Sequence, residues 1–370
     1  MKAAPKIILA IFIAFVSIII VALVLEIFFR IQNKYAINGI EYDPVKLWHW
    51  RANLDSKEWN SDDADVGGFK IFTDRFGYRN TGRSYTKRDN VIRVLVIGDS
   101  YTAGLTHPIE KIFTTLLENK LQSSTGKKIE VFNMASPCWS TEQEYLCLLD
   151  QGLAIKPDYV LLMVCPNDIR EVYCKKYARL ENGEVVFGKP PFSLKERIEW
   201  KLSNYSYLYQ YLQRQVFLTD YGTFAFLMTK MNFSFADQGK RGWDEPLFSK
   251  TSFPDLDEAI KLHFKLIGMM NEACKKNNIG FAISSTPFAM EYDSTMIKDT
   301  ALQSGLAAER LNAFCKQHQI PFIDLNTRFA AYPKPLDLFR PSDAHFSSKG
   351  HEIVADELAK YYENGVINPK

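Results

Sequence analysis

From Val91 onward the chain alternates short, β-rich apolar runs with segments of helical length, and no other feature restricts its fold so strongly. Runs at 91–97, 129–133, 159–164, 280–284 and 321–325 read as strands. The segments at 113–122, 141–151, 256–276 and 301–317, with a last one at 351–362, read as helices. Each carries apolar residues three and four positions apart, as in Ile260, Phe264, Ile267 and Met270, which turns one face toward a sheet. Such alternation specifies an α/β protein whose parallel sheet is joined by crossover helices.

About 80 residues, 171–254, interrupt this pattern between the third strand and the next helix, far more than an ordinary connection needs. The segment reads as an insertion. It is rich in aromatics (Tyr205, Tyr207, Tyr209, Tyr211, Phe217, Tyr221, Phe224, Phe226). Two readings stand side by side: a lid shaping the substrate site, or a helical subdomain packing its own aromatics. Residues 32–90 read as a lead-in of short strands and loops, in which Asp62, Asp63 and Asp65 lack the ligand spacing of a calcium loop and are expected to be solvated.

At the N-terminus, Ile7 to Leu25 is an unbroken apolar run, about 28 Å long as a helix and close to the thickness of a bilayer's hydrocarbon. No small-residue cleavage pattern follows it, so an uncleaved membrane anchor over residues 7–29 is expected. Lys2 and Lys6 precede the run, which places residues 1–31 as a cytoplasmic N-terminus plus transmembrane helix and the remainder outside, periplasmic or extracellular. The net charge of +2 and the absence of a long basic stretch exclude nucleic acid as an evident partner. The six cysteines include no C-x-x-C pair and offer no zinc site.

The first strand runs into Gly98-Asp99-Ser100, placing a serine just past the carboxyl end of a central parallel strand, where open α/β sheets gather their active groups. A serine hydroxyl needs a base within hydrogen-bond reach. His345 is the best candidate, in a loop before the last helix, with Asp343 two residues earlier to orient it. Among the other histidines, His107 lies near the entrance with only Glu110 as an evident acidic neighbour, whereas His49, His263, His318 and His351 read as surface or packing residues. Acyl transfer also needs donors aimed at the developing oxyanion. The third strand ends in Cys165-Pro166-Asn167-Asp168, and the second opens a loop from Asn133 to Gln143 that offers backbone N–H groups.

Taken together, Gly98-Asp99-Ser100, the Asn133 to Gln143 loop, Asn167-Asp168 and Asp343-Ala344-His345 resemble the blocks of membrane-anchored SGNH (GDSL-like) hydrolases, and Thr73 to Arg79 is similar to their lead-in. The resemblance covers about residues 40 to 365. It implies a three-layer α/β/α, flavodoxin-like SGNH domain over 91–365, with Ser100 as nucleophile and a His345–Asp343 pair. It also implies an oxyanion hole from the Ser100 N–H, the Cys138 N–H and the Asn167 side chain, with no metal or cofactor. Where such proteins usually carry glycine this chain has Cys138, and often again at Ala135; Cys165 and Pro166 also depart from the third block. If the loop needs a positive φ at 138, the replacement costs roughly 1 kcal/mol or more. Should Cys138 and Cys165 approach in an oxidising compartment, a disulfide is a further possibility.

The expected activity is an esterase acting on an O-acyl group of an envelope glycan, a lipid or a small ester. The same residues serve an O-acyltransferase, and a non-catalytic binding module is the reading in which Cys138 disables the oxyanion hole. No Gly-x-Ser-x-Gly elbow, P-loop or G-x-G-x-x-G follows any strand, which removes α/β-hydrolases and nucleotide enzymes.

Overall fold

The computed structural model describes residues 4–32, 39–56, 59–80, 82–215, 245–293, 301–341 and 344–367. Phe217, Tyr221, Phe224, Phe226 and Asp343 lie outside the described residues. Over those residues the chain forms two compact units, one joining Met1–Tyr42 to Phe192–Leu227 and the other joining Asp43–Pro191 to Met228–Lys370.

In the smaller unit, α1 (Ala4–Gln32) is continuous, and its stretch Lys6–Gln32, which contains an 18-residue window with a mean hydropathy of 3.4, is long and apolar enough to cross a membrane. After β1 (Ile40–Asp43), which ends at the boundary of this unit, the chain returns to it as α6 (Leu194–Tyr205) and α7 (Tyr207–Gln215). A reciprocal capping box starts α6: Ser193 Oγ accepts from the Glu196 N–H and the Glu196 carboxylate accepts from the Ser193 N–H. Within its described residues, then, this part of the insertion is helical.

The larger unit opens with β2 (Leu47–Trp50) and the antiparallel pair β3 (Trp59–Asn60) and β4 (Gly68–Phe69). The α/β pattern follows: β5 (Val91–Gly98), α2 (Ser100–Ala103), α3 (Phe113–Thr125), β6 (Lys128–Ala135), α4 (Thr141–Cys147), β7 (Tyr159–Val164) and α5 (Asn167–Cys174). A hairpin of β8 (Ala178–Glu181) and β9 (Glu184–Phe187) comes next. Then come α8 (Pro254–Lys276), β10 (Gly280–Ser285), α9 (Leu306–His318), β11 (Phe322–Ile323), α10 (Leu325–Ala330) and α11 (Ser348–Tyr362).

Five strands form one parallel sheet in the order β11-β10-β7-β5-β6. The expected α/β class and five-stranded parallel sheet are therefore present. Counted along the sheet strands alone the order is 2-1-3-4-5, the flavodoxin-like arrangement, with its switch point between β5 and β7. Both faces are covered, so the strands are apolar on both sides rather than alternating. On one face Val94, Val96, Val131, Leu161 and Met163 pack with Phe113 and Leu117 of α3 and Ile353, Val354 and Leu358 of α11. Helices α4, α5 and α8 pack together as the other layer, where Val172 meets Leu262 and Leu266.

Two boundaries differ from expectation for local reasons. The run at 321–325 holds only two strand residues, because Asp324 accepts from the Thr327 N–H and caps α10 at Leu325. The helix expected from 301 begins at Leu306, after Gly305 at φ 78°. The 141–151 segment is α-helical to Cys147 and continues as a π-turn from Leu148 to Gly152.

Glu291, after β10, is buried with its Oε2 accepting from Asn326 Nδ2, and burial pushes its carboxyl up to about 7. The folded state thus holds a proton between pH 4.5 and 7 that the unfolded chain releases, and stability falls as pH rises through that window. Glu291→Gln is expected to raise the denaturation midpoint at pH 8, by on the order of 3 kcal/mol at most, and to leave it unchanged near pH 4. Equal effects at both pH values in a urea titration would contradict this.

Candidate active site

Three strand ends and one loop carry the candidate residues, and each block shows the same exposure pattern. Ser100, Cys138, Asn167 and His345 are each partly exposed, whereas Asp99, Tyr101, Pro137, Trp139, Pro166, Asp168 and Phe346 beside them are buried. One side chain per block therefore reaches the surface of a rigid setting at the carboxyl edge of the sheet.

Ser100 is the first residue of α2, directly after β5. Asp99 caps that turn, its Oδ1 accepting from the Tyr101 N–H at 3.0 Å. Two glycines shape it. A Cβ on Gly98 would run into the Thr102 hydroxyl, and Gly104 ends α2 at φ 63°. His345 Nε2 lies 2.8 Å from Ser100 Oγ, bridging 245 positions of sequence. Tyr101 holds His345: its ring centroid is 4.8 Å from that of His345, and its hydroxyl donates to the Ala344 carbonyl at 2.6 Å.

Cys138 adopts φ 60°, the left-handed region in which glycine is at ease. The loop thus holds at 138 a conformation that favours glycine. Trp48 and Trp139 fix this loop from both sides, Trp48 Nε1 donating to the Pro137 carbonyl and Trp139 Nε1 to the Trp48 carbonyl. All six cysteines are free thiols, so the disulfide between Cys138 and Cys165 is not formed.

Asn167 begins α5 and donates one amide hydrogen from Nδ2 to Glu171 Oε1 at 2.9 Å. Because a carboxylate only accepts, this contact sets which way the amide faces and leaves its second hydrogen for another acceptor. Asp168 is buried and accepts from the Cys165 N–H at 2.9 Å. Burial pushes Asp168 and Glu144 well above the usual carboxylate range, with neighbouring carboxylates adding to the effect. Asp99 is also raised by burial, against the opposing pull of His345.

The lead-in segment does more than the sequence indicates. Asp62 pairs with Arg340, and Asp63 Oδ2 accepts from the Ser348 N–H at 2.6 Å and lies 3.1 Å from His107 Nε2. These contacts fall on both sides of His345, whose carbonyl accepts from the Arg340 N–H at 2.8 Å. The expectation of a solvated acidic run is therefore corrected for Asp63. Its burial is outweighed by the donors of Ser348, Asp65 and His107, which hold its carboxyl below the ordinary value. His107 likewise is a buried partner of Asp63 rather than an entrance residue beside Glu110, and burial lowers its pKa. Arg79, in the segment that precedes the first block, is buried and donates to the carbonyls of Ala103, Gly104 and His107 at the end of α2. A cavity of about 510 Å³ between Arg83, Glu118, Lys128 and Glu130 opens at the opposite, amino edge of the sheet and takes no part in this site.

Neither a protein-family model nor a curated protein matches this chain. Solved structures do. A lipase/acylhydrolase from Enterococcus faecalis is 13% identical, covering 74% of this chain and 95% of its own, with a TM-score of 0.42. A GDSL-like lipase from Bacteroides thetaiotaomicron is 12% identical over 77% and 94%, with a TM-score of 0.38. A mutant acetyl-xylooligosaccharide esterase from Geobacillus is 15% identical over 75% and 97%, with a TM-score of 0.41.

Cys138→Gly is expected to keep stability within about 1 kcal/mol, whereas Cys138→Val, β-branched in the left-handed region, is expected to lose about 1–2 kcal/mol; equal denaturant midpoints for the two variants would contradict the strain. Asp63→Ala, which strands two buried donors, is expected to cost about 1–3 kcal/mol by the same measurement. An unchanged midpoint would show that the clamp on the His345 loop contributes nothing. The solved structures that the chain is similar to thus include lipolytic and acylhydrolase proteins of the GDSL type.

Proposed function

We propose that the chain is a serine esterase of the SGNH type that hydrolyses an O-acyl ester through an acyl-serine intermediate. The observation that carries this reading is the 2.8 Å contact between His345 Nε2 and Ser100 Oγ at the switch point of the sheet. With Nε2 as acceptor, the imidazole takes the hydroxyl proton as Oγ attacks the ester carbonyl. Asp343 is the carboxylate assigned to orient the imidazole and to stabilise its charged form. The Ser100 and Cys138 N–H groups and the second amide hydrogen of Asn167 are the donors assigned to the oxyanion. His345 then returns its proton to the departing alcohol, and a water deprotonated by the same imidazole releases the acid from Ser100. No cofactor or metal enters these steps.

The anchor-like α1 supports a substrate outside the cytoplasmic membrane: an acylated envelope glycan, a lipid or a small ester. The test is turnover of p-nitrophenyl acetate by the full chain in detergent, with and without a glycan acceptor. Ser100→Ala and His345→Ala are each expected to lower kcat by on the order of 10⁴-fold, and Asn167→Ala by about 10²–10³-fold with KM little changed. Acyl transfer to the glycan in preference to release of acetate would replace hydrolysis with O-acyltransfer. Turnover that survives in Ser100→Ala would refute the nucleophile.

A further inference from the structure

Helix α6 has one face that packs and another that stays largely exposed, where the Tyr205 hydroxyl donates to Glu41 Oε2 at 2.8 Å. Trp200 and Asn204 are buried and both donate to the Ile40 carbonyl, at 2.8 Å each. On the far side, Leu194, Ile198, Leu202 and Tyr205 are 66%, 50%, 40% and 43% exposed. At about 100° per residue these four fall within about 80° of the helix circumference, so they form one narrow stripe. Lys195 and Lys201 are exposed and flank it, one along each edge. A soluble surface rarely gathers aliphatic side chains in a line. A stripe bordered by lysines suits the boundary between headgroups and acyl chains, where lysine stems lie along apolar matter and their charges reach the phosphates.

What covers the stripe is indicated by where α6 ends. The apolar run of α1 stops at Glu26, its first charge after Lys6, and so Glu26 and Arg30 mark the membrane surface. These two residues grip the corner between α6 and α7. Arg30 donates to the Tyr205 carbonyl at 2.6 Å, and Glu26 accepts from Ser206 Oγ and the Leu208 N–H at 2.9 Å and from the Tyr207 N–H at 3.2 Å. Phe29 stacks on Tyr211 with centroids 4.5 Å apart. The end of the stripe, Tyr205, is thereby fixed at the level where α1 leaves the hydrocarbon.

We propose that the Leu194–Ile198–Leu202–Tyr205 face of α6 lies in the interfacial layer of the bilayer that α1 crosses, and that the lipid surface is its partner. The smaller unit then meets the bilayer through two elements, a spanning helix and an interfacial one. The stripe requires α1 to cross the bilayer and is independent of the chemistry at Ser100.

The experiment uses the full chain in phosphatidylcholine–phosphatidylglycerol vesicles, with an environment-sensitive fluorophore on Ile198→Cys, Leu202→Cys, Glu199→Cys or, within α1, Ile18→Cys; the unsubstituted chain gives the labelling background. Blue-shifted emission and quenching by brominated lipid several-fold stronger at 198 and 202 than at 199, with iodide quenching in the reverse order, is the expected result. Iodide-accessible 198 and 202 beside a lipid-quenched 18 would overturn the proposal. So would protection of 198 and 202 from iodide without lipid quenching, together with a dimeric mass, which would assign the stripe to a second copy. An iodide-accessible 18 would overturn it along with the spanning helix.

Discussion

A hydroxyl and an imidazole that lie 245 positions apart meet at 2.8 Å, and the proposed reaction depends on that contact being held. Ser100 is held by the sheet itself, through β5 between β6 and β7. His345 has no strand to hold it. Its loop is fixed by Tyr101 from the turn that carries Ser100, by the contact of Asp62 with Arg340, and by Asp63 at the start of α11.

The layer under the site is unusually acidic for a buried region. Asp99, Glu144 and Asp168 are buried, and one Asp99 oxygen and both Glu144 oxygens have no hydrogen-bond partner. Burial raises all three carboxyls, which disfavours their charged forms. Lys175, also buried, donates to Ser140 Oγ at 2.5 Å and to Gln143 Oε1 at 2.6 Å, tying α5 to the capping box that starts α4. The donors assigned to the oxyanion thus stand on a buried polar network.

The sheet was legible in the sequence because each strand is a continuous apolar run between turn residues and each helix shows its apolar spacing. Ser100 was legible as a serine at a strand end and His345 as a histidine in the loop before the last helix, whereas the positive φ at Cys138 was legible only through the resemblance, which implied glycine there. Asp62, Asp63 and Arg340 were not, because an acidic run reads the same whether it meets solvent or a helix start some 285 positions away. Tyr101 was hidden by its neighbour Ser100: its role depends on a ring contact that no spacing reveals. The short β11 escaped for a local reason, since Asp324 as a cap ended the strand where apolar residues continued.

The central claim is that Ser100 is a nucleophile activated by His345. Intact-mass and peptide mass spectrometry after treatment with a fluorophosphonate tests it most directly. The account predicts a single adduct on the peptide containing Ser100, formed rapidly by the unsubstituted chain and slowly in His345→Ala. An unlabelled Ser100 in folded protein, or labelling at a rate indifferent to His345, would contradict it.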